Sequence, residues 1–147
     1  MKRVSIFAVT NTADGIPKYT ARTAEELKKC SAVVTAAGEY ESPEVLRELS
    51  QYSDSTAAVS GKRPAAFYKT GAEYALEHYP DAEELVFILD DFFGPFCGFE
   101  KLLNDACEKL SSADVWSPAP LCTDDGRKLI CPSFFAVRLR NTDHAQI

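Results

Sequence analysis

Apolar residues along this chain fall into two alternating periods. Short β-branched or alanine-rich runs occupy Val4 to Thr10, Ala32 to Ala37, Ser55 to Val59 and Leu85 to Leu89. All four read as strands, Ser55 to Val59 the weakest; the unbroken run Leu85 to Leu89 is the mark of one buried on both faces. Between them, apolar residues recur three or four positions apart, the helical period. Tyr19 to Cys30 sets Tyr19, Thr23, Leu27 and Cys30 on one stripe, and Val45, Leu46 and Leu49 form the next. Ala65 to His78 presents Phe67, Tyr74 and Leu76, and Phe99 to Leu110 presents Leu102, Leu103, Ala106 and Leu110. The punctuation agrees with this division. Asn11 to Gly15 is turn chemistry, Pro17 suits a helix start, Gly38 closes the second strand, and Ser42-Pro43 supplies an N-cap and a first helical residue.

Beyond the fourth helix the pattern is weaker. Asp114-Val115-Trp116 reads as a short strand, and Lys128 to Leu139 as a longer one broken near Pro132, with a turn at Thr123-Asp124-Asp125-Gly126. Four strand–helix alternations predict an α/β fold: a single domain over residues 1–147, with a mainly parallel sheet flanked by helices. The strands ending near Thr10, Ala37, Val59 and Leu89 should be parallel neighbours, with the Leu85 strand central.

That strand carries the candidate chemistry. Asp90 and Asp91 follow Leu89 directly, and Gly94-Pro95 then turns the backbone. Ligands of open α/β sheets sit outside the carboxyl ends of the strands. Two adjacent carboxylates there suit Mg²⁺ or Mn²⁺, which could hold a substrate diphosphate. The plainer alternative is that they cap a turn by accepting backbone N–H bonds. The two differ at Asp90. A ligand-binding carboxylate keeps lone pairs free toward a cleft, so that Asp90→Asn costs about 1 kcal/mol or less in stability but weakens metal-dependent nucleotide binding about tenfold or more. Under a cap Asp90→Asn changes neither, because Asn still accepts a backbone bond, and Asp90→Ala costs about 1 kcal/mol whether or not ligand is present.

Composition narrows the partners. Twenty-two acidic against sixteen basic residues give a net charge of −6, which argues against a nucleic-acid binder, since these need a basic footprint. The short basic clusters Lys28-Lys29, Lys62-Arg63, Arg127-Lys128 and Arg138/Arg140 suit a phosphorylated small molecule instead. Val4 to Thr10 is too short for a signal-peptide core, and no segment reaches transmembrane length. Five irregularly spaced cysteines (Cys30, Cys97, Cys107, Cys122 and Cys131) with no Cys-x-x-Cys pair point to reduced thiols and a cytoplasmic location. With His78 and His144 the only histidines, a structural zinc site is not expected.

Familiar motifs are missing. The loop after the first strand holds one glycine, so neither a dinucleotide fingerprint nor a P-loop is present. Thr10, Asn11 and Thr12 nevertheless lie where backbone amides ahead of a helix can receive an anion. An Asp-x-Asp pair after the first strand, as in haloacid dehalogenase-type phosphatases, is absent, and nothing places a histidine base beside a cysteine. Asp124 and Asp125 could supply a general base, or simply form a turn.

Three stretches together resemble the rhamnan synthesis protein F family, glycosyltransferases with a GT-A-type nucleotide-sugar domain used in bacterial surface polysaccharide assembly. The first is the opening strand with Asp14-Gly15-Ile16 and the Tyr19–Leu27 helix. The second is Leu85 to Phe96, with Asp90 and Phe93-Gly94-Pro95. The third is Ala113-Asp114-Val115-Trp116 followed by Ser133-Phe134-Phe135-Ala136-Val137. Three departures stand beside it. Ala66 replaces an acidic residue of the family's Gly-Tyr-Asp-Phe-Gly-like run. Ile130 and Pro132 stand where His and Gln precede the Ser-Tyr-Phe segment. The chain also ends soon after this strand, as a shortened member or an excised domain would.

The resemblance implies a GT-A-like (Rossmann-like) fold and a dTDP-rhamnose-type donor. It implies Asp90 and Asp91 as metal or donor residues, Asp14 near the nucleotide loop, and Asp124 or Asp125 as base. A divalent metal, Mg²⁺ or Mn²⁺, would serve as cofactor if the protein is active. A saccharide acceptor and other polysaccharide-assembly proteins would be its partners. The alternative is a non-catalytic glycosyltransferase-like module for protein or glycan binding, to which Ala66 and the short C-terminus point.

Overall fold

The computed structural model describes residues 1–92, 98–118 and 121–139. Its elements run β1 (Arg3–Val9), α1 (Lys18–Lys28), β2 (Ala32–Gly38), α2 (Pro43–Tyr52), β3 (Ser55–Val59), α3 (Pro64–His78), β4 (Glu84–Leu89) and α4 (Phe99–Lys109). Four short strands follow: β5 (Val115–Trp116), β6 (Leu121–Cys122), β7 (Lys128–Leu129) and β8 (Phe134–Arg138). The main sheet has the order β3-β2-β1-β4-β8-β5. The first four strands are parallel neighbours, with β4 inside the sheet between β1 and β8, as the sequence pattern predicts. The four longer helices pack on this sheet.

The chain first builds outward, from β1 to β2 to β3, then returns to place β4 on the other side of β1. Right-handed crossovers in opposite directions put their helices on opposite faces. Accordingly α1 and α2 pack on one face, where Ala24, Leu27 and Leu49 meet Phe7, Val9, Val33 and Ala37. Helix α3 covers the other, with Phe67 and Ala75 against Ala8, Ala36, Val34 and Leu85. Successive residues of β1 point alternately into the two cores.

Several predicted helix faces shift by a residue or so. Helix α1 buries Thr20, Ala24 and Leu27 rather than Tyr19, Thr23 and Cys30. Helix α4 buries Phe99, Leu103 and Ala106, while Leu110 beyond its end is exposed. Helix α3 buries Phe67, Gly71 and Ala75, while the expected Tyr74 and Leu76 are partly buried against the same core, Tyr74 also stacking on His78 at 3.9 Å. Small residues won that face because α3 lies close to the sheet: a Cβ on Gly71 would stand 2.4 Å from Cγ2 of Ile6. The predicted strand from Lys128 to Leu139 is two strands. Its first part, β7, pairs with β6 in a separate hairpin, and only β8 joins the main sheet, antiparallel to β4 and to β5.

At the amino ends of the strands, a buried charge cluster ties these layers together. Glu84, fully buried, accepts from Arg3 Nε at 2.8 Å and from Trp116 Nε1 at 3.3 Å. Arg138 Nε lies 3.5 Å from the other side of the same carboxylate. The guanidinium groups also donate to α4: Arg3 to Leu103 O and Asn104 Oδ1, and Arg138 to Leu110 O and Cys107 O. The Arg138 contacts fall at the carboxyl end of α4, where carbonyls have no partner within the helix.

Candidate functional site

The opposite, carboxyl end of the sheet gathers the loops after β1, β2, β3 and β4. The antiparallel course of β8 brings the segment before it to the same end. Leu89 N donates to Ser133 O at 3.0 Å there, and Tyr68 Oη of α3 donates to Pro132 O at 2.5 Å. Because β1 sends its connection to one side and receives β4 on the other, the gap between the ends of β1 and β4 is the topological switch point of the sheet.

Asp90 spans that gap. It is 3% exposed. Its Oδ2 accepts from Thr10 N at 2.9 Å and Asn11 N at 2.7 Å, and its Oδ1 from Thr10 Oγ1 at 2.9 Å. The amides after β1 do receive an anion, and it is the protein's own carboxylate. Lone pairs left free toward a cleft, as a ligand-holding Asp90 requires, are therefore not what the structure presents: three donors of the β1 loop engage them. Asp91, one residue on, is exposed. Asp14 is also exposed, in the same loop that Asp90 braces, beside Gly15, whose φ of 86° and N–H to Thr12 O close the turn.

Tyr68 faces these acids from α3. Burial, then the charges of Asp91, Cys131 and Asp90, push its phenol above the ordinary tyrosine range. The ring is locked edge-on against Phe87 and Phe135, at 5.4 and 5.5 Å. Asp124 and Asp125 do not join this group through any described contact. They form the exposed tip of the β6–β7 hairpin, turned by Gly126 at φ 82°. Asp125 binds Arg127 Nε at 2.7 Å and accepts from Thr123 Oγ1, and that hydroxyl bond, with those from Arg127, holds its pKa low. A carboxylate so stabilised is a poor proton acceptor. Ala66, where the resemblance expects an acid, is half-buried in the first turn of α3.

The turn after β2 carries a residue that the sequence pattern did not single out. Tyr40 is 52% exposed, and its ring folds back over Gly38, where an added Cβ would lie 2.3 Å from the ring. Lys62 Nζ, from the loop after β3, stands 5.5 Å from the ring centroid. Glu41 ties this turn to the β1 loop by accepting from Thr12 Oγ1 at 2.5 Å. The available signal was an aromatic residue two positions after a strand-closing glycine.

Among the described residues, no three His, Cys, Asp or Glu side chains converge as a metal cage would need. Mg²⁺ and Mn²⁺, however, are commonly held by one or two carboxylates together with water and substrate phosphate. Asp91 fits that lesser demand. The thiols of Cys30, Cys107, Cys122 and Cys131 are free. Cys97, Gly94-Pro95, Arg140 and His144 lie outside the described residues, and no described helix is long and apolar enough to cross a membrane.

Fold and site together define the class: an open, mostly parallel α/β sheet of Rossmann-like type, with Asp90 bridging the strand ends at its switch point. No protein-family profile matches the chain, and no curated protein matches it. Among solved structures it is similar to 4-diphosphocytidyl-2C-methyl-D-erythritol synthase from Anaerococcus prevotii DSM 20548. The TM-score is 0.55 at 12% identity, over 93% of this chain and 70% of that one. At that identity the likeness is one of fold.

Proposed function

We propose that residues 1–147 form the donor-binding domain of a glycosyltransferase that takes a nucleotide-diphosphate sugar. The observation that carries this reading is Asp90 bridging the β1 and β4 strand ends at the switch point, with Asp91 exposed beside it. Ligands of open α/β sheets bind at that place. The similar structure is named for a diphosphocytidyl compound, which accords with a nucleotide there. The rhamnan synthesis resemblance supplies the finer reading: rhamnose from a dTDP-type donor, passed in the cytoplasm to a growing bacterial surface polysaccharide.

In this reading Asp90 is a positioning residue, fixing the Thr10–Asn11 backbone against which the donor lies, and Asp14 stands by the nucleotide. Asp91 is the carboxylate that would hold a divalent cation arriving with the donor. Such a cation, when bound, would neutralise charge on the departing diphosphate. Of the two hairpin acids, Asp124 keeps the role of base toward the acceptor hydroxyl, since Asp125 is engaged by Arg127 and Thr123.

The test is calorimetric titration of dTDP with Mn²⁺. Wild type should bind, and Asp91→Asn should bind at least about tenfold more weakly, a change of only about 1.4 kcal/mol, with an unchanged melting temperature. Equal affinities would remove Asp91 from the site. Absence of binding to wild type would favour the second reading, a non-catalytic module for protein or glycan contact. Asp90's engaged carboxylate and Ala66 are the observations on its side.

A further inference from the structure

Tyr40 is the one aromatic side chain among the exposed large hydrophobic residues described. Exposed tyrosines are commonly mobile, but this one is held from three directions. Its ring is seated on Gly38, which is buried at the end of β2 and has no Cβ to obstruct it. The backbone beneath is closed by Glu39 N to Val59 O at 2.9 Å and Glu41 N to Gly38 O at 3.1 Å. The Glu41–Thr12 bond fixes the turn to the loop that Asp90 also braces.

A rigid, half-exposed ring at the carboxyl end of a sheet is a preorganised surface for another flat ring, because little side-chain freedom is lost on binding. Lys62 Nζ stands over the ring and is displaced when a base stacks there. At 5.5 Å from the centroid it sits near the outer limit of cation–π attraction, about 6 Å. Its exposed side chain can swing aside and still leave a positive charge next to whatever lies on the ring.

We propose that Tyr40, seated on Gly38 and flanked by Lys62, is the stacking platform for the planar base of the nucleotide. This rests on the nucleotide-sugar reading above and goes beyond it by assigning the base to the β2 turn. The diphosphate then extends from the β2 turn across the β1 loop toward Asp91 after β4. Stacking accepts any flat base, so the platform confers a preference for nucleotides over bare phosphates rather than for one base over another.

The experiment compares dTDP with inorganic pyrophosphate, each with Mn²⁺, on wild type, Tyr40→Ala, Tyr40→Phe and Gly38→Ala, with a thermal melt of each variant. Wild type should bind dTDP at least about tenfold more tightly than pyrophosphate. Tyr40→Ala should lose that preference without weakening pyrophosphate, whereas Tyr40→Phe keeps it. Gly38→Ala should behave as Tyr40→Ala does although the ring is still present, because its new methyl group displaces it. Wild type and Tyr40→Ala binding dTDP alike would overturn the platform and leave the nucleotide reading standing, as would a wild type with no preference for dTDP. A wild type that binds neither compound overturns both.

Discussion

At the scale of single residues, Asp90 is a brace made of charge. Its carboxylate takes two backbone N–H groups and one hydroxyl across the gap between β1 and β4. Asparagine can keep one oxygen on the two amides and turn its NH₂ toward Thr10 Oγ1, losing mainly the charge assistance. Urea unfolding of Asp90→Asn should therefore show a loss on the order of 1 kcal/mol, and Asp90→Ala about 3 kcal/mol or more, since buried donors are then unmatched. An Asp90→Ala protein as stable as wild type would mean that the loop holds itself. Tyr68 offers a second check, by pH. Its folded pKa is raised, chiefly by burial and then by Asp91, so the folded state keeps the phenol proton longer than the unfolded chain does. The stabilising contribution is complete below the ordinary tyrosine value, about 10, and is lost progressively as pH rises above it. Tyr68→Phe should lose less stability than wild type on moving from neutral pH to above 10. Parallel pH curves for the two proteins would contradict the assignment.

At the scale of elements, close approach decides what the hydrophobic period alone does not. Helix α3 lies on β1 through Gly71, where alanine would otherwise improve the helix by about 1 kcal/mol. The new methyl group would meet Cγ2 of Ile6, a β-branched side chain on an interior strand with no room to yield. Overpacking typically costs about 1–3 kcal/mol, so Gly71→Ala should lower the denaturation midpoint; an increase would show that α3 can lift off the sheet. The same contact explains what was legible in the sequence. Strands β1 to β4 and their helices were visible because long apolar runs and caps such as Ser42, which accepts from Val45 N, are local signals. The faces of α1, α3 and α4 were misplaced because they are chosen by neighbours far along the chain. The division of Lys128 to Leu139 between two sheets was hidden for that reason too. So was the use of Asp90: a carboxylate that serves the protein and one that serves a ligand look alike until its donors, eighty residues away for Thr10, are seen. Tyr40 escaped notice because its one local signal, an aromatic two positions after the strand-closing Gly38, does not by itself say that the ring stays exposed.

At the scale of the whole molecule, the two ends of the sheet are built on opposite lines. The carboxyl end carries turns and exposed acids, and the amino end is closed by Glu84, Arg3, Arg138 and Trp116. Glu84→Gln would keep the shape while leaving two buried guanidinium groups without their counter-charge. Breaking a buried pair in this way costs about 3–5 kcal/mol. Because the cluster lies at the far end of the strands from Asp90 and Asp91, dTDP affinity of the folded fraction should be unchanged, and a parallel fall in affinity would show that the two ends are coupled. The cluster also orders events during synthesis. Arg3 leaves the ribosome first and Glu84 much later, while Arg138 follows only after α4 and the hairpin have emerged. Until then β4, the most hydrophobic strand of the nascent chain, has β1 on one side and nothing on the other, with Glu84 only half neutralised. The growing polypeptide therefore exposes a sticky, charged edge while residues 90 to 133 emerge from the ribosome. Protection by a chaperone matters most in that interval, and synonymous codons that slow elongation there would lengthen it.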